Sequence, residues 1–195
     1  MLGANRRRRA LPDPDLVPEL DHWLPDCALR VVHRRESNAP VERLWEAACG
    51  VRLCDAALLG RLVRWRIPGT PPKISFDELF RQPPFMVLEG DRDGKTRLVC
   101  GLVGRIWTLR RDYPQLTDPE EFRGWSQPGT ARVLLANWVQ PIGGGRTALV
   151  SESRVEAIGA QGRLGLAAVR PLVRGFQQLV ASDGIEAAVR GAERS

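Results

Sequence analysis

The side chains best suited to chemistry in this sequence are one histidine and a small set of neutral polar residues. His33 is the candidate catalytic group, because an unperturbed imidazole titrates near neutrality and can act as a general acid–base in a secluded site. Asn137, Ser151 and Ser153 carry the amide and hydroxyl groups that could orient a ligand carbonyl or hydroxyl. Each depends on the strand that carries it. The stretch Thr130–Ala157 (TARVLLANWVQPIGGGRTALVSESRVEA) reads as two strands flanking Gly143, Gly144 and Gly145, which suit the positive φ angles of a hairpin turn. Centring the turn on Gly144 sets Val139 opposite Leu149, Asn137 opposite Ser151, Leu135 opposite Ser153 and Val133 opposite Val155, all on one face. The other face pairs Arg132 with Glu156, Ala136 with Glu152 and Trp138 with Val150, with Arg154 beside Glu152. One face is therefore apolar with a polar centre, and the other is a charged face expected to point outward. The strand Cys27–Glu36 puts Leu29, Val31, His33 and Arg35 on one side, which brings Val31 and His33 into the candidate ligand set.

Other chemistries find less support. The four cysteines, Cys27, Cys49, Cys54 and Cys100, make no CxxC, and His22 and His33 are not spaced with them as zinc ligands. No metal and no cofactor are expected. Cys49 and Cys100 read as small buried hydrophobes, and reduced thiols are the default. Glu152 and Glu156 fall on the outer face, so they do not form a paired-carboxylate site. The three glycines precede a strand, not a helix, and so do not form a phosphate loop. Tyr113, the sole tyrosine, sits in a loop-like region. Each candidate also has a purely structural reading. His33 can be a core histidine bonded to a carbonyl, the serines and Asn137 can satisfy one another across strands, and Trp45, Phe85, Trp107 and Phe176 can be core.

The chain has 195 residues, 43% of them hydrophobic, which suits one domain with a real core. Residues 1–25 read as a basic, proline-rich, disordered tail containing the Arg6–Arg9 run, and residues 26–195 as a single domain. The net charge is +6, almost all of the basic excess being arginine. That balance permits nucleic acid, an anionic membrane surface or an acidic substrate as partner. The arginines are spread along the chain with no aromatic stacking platform, so nucleic acid is not expected. No run approaches the roughly 18 apolar residues of a membrane span, so no integral membrane segment is expected. No apolar segment follows the early arginines, which argues against a secretory signal and for the cytoplasm. Nothing in the sequence sets the oligomeric state.

Around the central hairpin the other elements follow in order. Asn38 and Pro40 open an amphipathic helix with Val41, Leu44, Trp45 and Ala48 on one face, ending near Gly50. Asp55 caps a second helix, Asp55–Arg66, with Leu58, Leu59, Leu62 and Val63 inward. Ser75 and Glu78 form a capping box over Ser75–Arg81. Pro84–Gly90 and Thr96–Trp107 read as strands joined by a turn at Asp91–Gly94. Leu102 joins the candidate ligand set from the second strand, whose Gly101 and Gly104 point to curvature or close approach. Tyr113–Thr117 reads as a short strand, and Asp118 and Pro119 open a short helix. A long helical pattern, about Ala160–Arg190, carries a stripe of Leu164, Ala168, Leu172, Phe176 and Leu179. That stripe is expected to face the sheet, with a kink at Pro171 and an interruption at Asp183-Gly184. Leu172 and Phe176 complete the candidate ligand set with Val133, Leu135 and the polar residues.

The order of these elements, carried by Ala39–Ala47 (APVERLWEA), Phe85–Gly90 (FMVLEG), Leu98–Trp107 (LVCGLVGRIW), Asp118–Trp125 (DPEEFRGW) and Ala148–Ala157 (ALVSESRVEA), resembles the START-like SRPBCC superfamily. The likeness is to its small, uncharacterised bacterial members, and it spans Leu29 to about Arg190. The resemblance implies an α+β helix-grip fold: a curved antiparallel sheet wrapped around a long C-terminal helix, with two short helices after the first strand. It also implies a cavity between sheet and helix that takes lipids, polyketides or other hydrophobic compounds, and in some members aromatase/cyclase activity. It carries over no catalytic residues, and Asn137 stands where relatives would carry an aromatic or aliphatic residue. Three readings follow: a carrier or sensor of a hydrophobic small molecule, a polyketide cyclase- or dehydratase-like enzyme using His33, or a partner-binding domain whose groove is filled by its own side chains.

Overall fold

The structure, a computed structural model, is described for residues 17–55, 57–67, 69–90, 96–108 and 113–194, without the side chains of 57–59, 66 and 176–183. The Arg6–Arg9 run, the Asp91–Gly94 turn, and the Leu58, Leu59, Phe176 and Leu179 side chains lie outside that description. The hairpin is formed by β4 (Ala131–Gly143) and β5 (Arg146–Ala157), paired antiparallel. Its register is the one alternation dictates, with Val139 against Leu149, Asn137 against Ser151, Leu135 against Ser153 and Val133 against Val155. Gly143, Gly144 and Gly145 all have positive φ (86°, 65° and 73°), which is why glycine occupies the turn. β1 (Leu29–Ser37) pairs with β5, β3 (Arg97–Gly104) with β4, and β2 (Met86–Glu89) with β3. The fold is therefore α+β, with one five-stranded antiparallel sheet in the order β1-β5-β4-β3-β2.

One face of this sheet is covered by helices. α2 (Val41–Gly50), α4 (Phe76–Phe80) and the far end of α6 (Gly159–Arg194) enclose a core of Leu44, Trp45, Phe76, Phe80, Leu98, Val139, Leu149, Ile185 and Val189. The Ser75–Glu78 capping box is present and starts α4. α3 (Ala57–Arg66) follows a short 3-10 turn at Leu53–Asp55. The Asp55 carboxylate accepts from the Arg52 amide (3.0 Å). Residue 113 onward is not a strand until Ala131, although α5 (Pro119–Gly124) starts as expected, the Asp118 side chain accepting from the Glu121 amide.

The opposite face corrects two expectations. The boundary of a disordered tail at residue 25 is wrong for residues 17–25. α1 (Leu20–Trp23) and Leu24 pack against the sheet, with Leu24 wholly buried and Leu20 and Trp23 nearly so. They join Phe122 of α5 in a second core with Val99, Val103, Leu134, Ala136, Trp138 and Val150. The physical reason is that this face of β3–β5 is itself apolar at its centre, and covering it is worth about 2 kcal/mol per large side chain. Gly101 of β3 belongs to this packing, because the Phe122 ring lies 2.5 Å from where a Cβ would stand. The charged pairs of the hairpin do lie on this face, but Glu152 is covered rather than outward. It accepts from Arg30 (3.0 Å) and from Arg154 (2.6 Å), and Arg154 also donates to the Leu24 carbonyl (2.8 Å) and pairs with Asp21.

α6 corrects a third expectation. It runs as one helix through Asp183-Gly184, without the expected interruption, and contains Pro171. Its buried side is Gly162, Leu166, Ile185, Ala188, Val189 and Ala192, whereas Leu164 and Leu172 of the expected inward stripe are exposed. The close approach of its first turns explains the choice of face. A Cβ at Gly162 would stand 2.8 Å from the Thr130 carbonyl oxygen, and one at Gly165 2.5 Å from the Trp107 ring. The glycines, not the leucines, thus face the sheet end. None of the described helices is long and apolar enough to cross a membrane.

Candidate functional site

The register places three polar side chains in one row across the helix-covered face. His33 of β1 stands opposite Ser151 of β5, and Ser151 opposite Asn137 of β4. The next row is Val31, Ser153 and Leu135, followed by Leu29, Val155 and Val133. Two serines in the middle of the central strand are thus boxed in by aliphatic neighbours. Ser151 and Ser153 are both buried, and His33 and Asn137 are half-buried. The Ser153 hydroxyl is fully sealed from solvent and has no hydrogen-bond partner among the described residues. An orphaned buried hydroxyl costs about 1–3 kcal/mol.

Beside this row lies a cavity of about 50 Å³. Trp45 and Cys49 of α2, Phe76 and Phe80 of α4, Leu98 of β3, Leu149 of β5 and Ile185 of α6 line it, and Asn137 supplies its polar wall. Asp77 stands at its edge, held by two hydrogen bonds from Arg81 (2.9 and 3.0 Å). Cys100, on the same face of β3, is buried, and desolvation pushes its thiol up to about 12, so it remains protonated and unreactive. On the far face, burial alone would lower the Arg154 pKa, but Asp21 and Glu152 outweigh it and hold the guanidinium charged.

The expected ligand residues are brought together only in part. Val31, His33, Leu135, Asn137, Ser151 and Ser153 share two adjacent rows, and Val133 the row beyond. Leu102 stands opposite Val133, buried. Asn137 is the member that lines the cavity. Leu172 does not belong to the set: it is 67% exposed on the outer side of α6, because the glycine contacts turn that side away from the sheet. Phe176 lies among the side chains outside the description. The cavity's aromatic wall was missed, although its signals were present. Trp45 is on the apolar stripe of α2, and the capping box fixes Phe76 and Phe80 one turn apart on α4. No hydrogen bond joins His33 to a carboxylate among the described residues. Glu36 pairs with Arg146 (2.7 Å), and Glu186 with Arg35 (2.9 Å). Among the described residues no group of histidine, cysteine and carboxylate side chains is placed to hold a metal ion.

No protein-family model and no curated protein matches this chain. Among solved structures it is similar to the crystal structure of TTHA0849 from Thermus thermophilus, with 12% identity and a TM-score of 0.34, over 85% of this chain and 98% of that one.

Proposed function

We propose that the sheet and α6 form a helix-grip fold of the START-like kind and that the chain binds a small amphipathic molecule between them, as a carrier or sensor. The single observation that carries this reading is the sealed, unpartnered Ser153 hydroxyl in the row next to that of Asn137, which is the polar wall of an aromatic-lined cavity. The polar end of the ligand would meet Asn137, Ser151 and Ser153, and its apolar end Trp45, Phe76 and Leu98. Affinity then comes from apolar burial and orientation from the polar groups. The polar end is uncharged in this reading, because the row holds no arginine, lysine or carboxylate and Asp77 is already engaged by Arg81.

The cavity's size favours a second reading. At about 50 Å³ it falls well short of the roughly 300–1,000 Å³ of drug-sized sites, so a groove filled by the chain's own side chains also fits. A ligand of more than a few heavy atoms therefore requires α6 to shift outward. The enzyme reading, with His33 as acid–base, has no orienting partner in support.

Native mass spectrometry and calorimetric titration with a panel of fatty acids, alcohols and aromatic polyketide-like compounds separate these. The carrier reading expects a co-purifying or titrating ligand whose affinity falls about tenfold in Asn137→Leu, the loss of roughly one hydrogen bond to a buried group. His33→Gln should change affinity only a few-fold, whereas an enzyme would lose about 100-fold in turnover. A wild type that binds nothing, together with an Asn137→Leu variant that melts higher, leaves the filled groove standing.

A further inference from the structure

The outer side of the first half of α6 carries Leu164 and Leu172, two of the four exposed large hydrophobic side chains among the described residues. Ten positions are exposed between Gly159 and Gly175: three arginines, one glutamine and six apolar residues. At 100° per residue, Leu164, Ala168 and Pro171 fall within about 60° of one another at the centre of that side. Leu172 flanks them on one edge, and Arg163, Arg170 and Arg174 lie within about 40° of each other along the opposite edge. Leu164 is 74% exposed and Leu172 67%, values at which a leucine gains little from folding. There is no acidic residue between Glu156 and Asp183. Arg163 and Arg174 make no ion pair among the described residues, and the hydrogen bond of Arg170 is a long one to the Ala28 carbonyl (3.4 Å). The second half of the same helix is built otherwise, with Glu186 pairing to Arg190 (3.2 Å) and to Arg35 (2.9 Å), and Glu193 accepting from Ser37 (3.1 Å).

We infer that this outer face of α6 docks on an anionic lipid surface, lying in the plane of the interface. The leucines and Pro171 would enter the headgroup boundary, and the arginine row would sit among the phosphates. A helix with apolar residues bordered by a single row of unpaired cations is the arrangement such surfaces bind. Charge complementarity selects an anionic partner, and the leucines select lipid over nucleic acid, whose phosphates reward arginines but not exposed aliphatic side chains. The inference does not depend on the cavity holding a ligand, because the docking face belongs to the first half of α6 and the cavity is lined by Gly184 and Ile185 of its second half.

The test is flotation of the full chain with phosphatidylcholine vesicles and with vesicles of phosphatidylcholine and phosphatidylglycerol in equal parts. The wild type should float only with the anionic vesicles, and added salt should weaken the binding. Leu164→Asp with Leu172→Asp should weaken it at least about tenfold, and Arg163→Gln with Arg174→Gln about thirtyfold at low salt, near fivefold for each charge. All four positions are exposed, and circular dichroism melting checks that the variants stay folded. Absence of binding to anionic vesicles overturns the proposal. So does binding that survives both double variants, since the Arg6–Arg9 run would then be its cause. Binding to duplex DNA that is as tight as to the vesicles, and indifferent to the leucines, reassigns the face to nucleic acid. A dimer in solution that the leucine variants dissociate reassigns it to a second copy of the chain.

Discussion

Ser153 is where the sequence's polar centre becomes a measurable cost. Alternation alone places it on the inner face beside Val31 and Leu135, and the structure adds that its hydroxyl is sealed and unpaired. Removing an unsatisfied buried hydroxyl removes its desolvation penalty. Ser153→Ala should therefore stabilise the ligand-free protein by about 1 kcal/mol, a rise of roughly 2–4 °C in melting temperature for a chain of this size. The same change should weaken ligand binding, so the ordering of wild type and variant reverses when the titrating ligand is present. Calorimetric melting with and without ligand reads both. A variant that melts lower without ligand would show that the hydroxyl already has a partner. His33, Asn137 and Ser151 were legible for the same reason as Ser153, since period two leaves no choice of face once the turn is fixed. The aromatic wall was not, because Trp45, Phe76 and Phe80 reach the cavity from helices whose placement over β3–β5 is a tertiary fact.

At the scale of elements, the hairpin and the two side-chain caps could be read directly, because turn glycines, strict alternation and the Ser75 and Asp118 caps are local chemistry. α1 and the buried face of α6 could not. α1 is four residues long in a proline-rich context, too short to show a helical period, and it is held by the sheet rather than by its own propensity. In α6 a leucine stripe at regular helical spacing outranked small residues in any hydrophobicity count, yet glycines were needed where Trp107 and the Thr130 carbonyl come close. The consequence for α1 is testable. Trp23 is nearly buried, and its indole N–H donates to Glu89 (2.8 Å), which Arg97 also pairs (2.9 Å). Trp23→Ala should destabilise by about 3–5 kcal/mol as a core aromatic does, and Trp23→Phe by less, since it keeps the packing and loses the hydrogen bond. Urea denaturation decides. A midpoint unchanged in Trp23→Ala would mean that α1 contributes nothing to stability and that the tail reading was right after all.

At the scale of the whole molecule, the sheet is a single layer shared by two cores. Val139, Leu149 and Val155 look toward α2 and α6, while Leu134, Ala136 and Val150, on the same two strands, look toward α1 and α5. The two faces therefore cannot loosen independently without breaking the ladder between them. Arg154 adds a polar tie, since it reaches from β5 to the Leu24 carbonyl and Asp21. The expected behaviour is one cooperative unit in which the amides of β4 and β5 exchange only through global unfolding. Leu24→Ala offers the sharpest test, because Leu24 is wholly buried, far in sequence from both strands, and on the face opposite the candidate site. A loss of about 3 kcal/mol there should lower the protection of every central β4 and β5 amide by the same factor, roughly 150-fold, including those on either side of Asn137 and Ser151. Native-state hydrogen exchange read residue by residue gives the answer. If protection falls only in residues 17–25 and the adjoining strand ends, the N-terminal cover is a separate layer. The candidate site then rests on the helix-covered core alone, and α6 can open over it without disturbing the rest of the molecule.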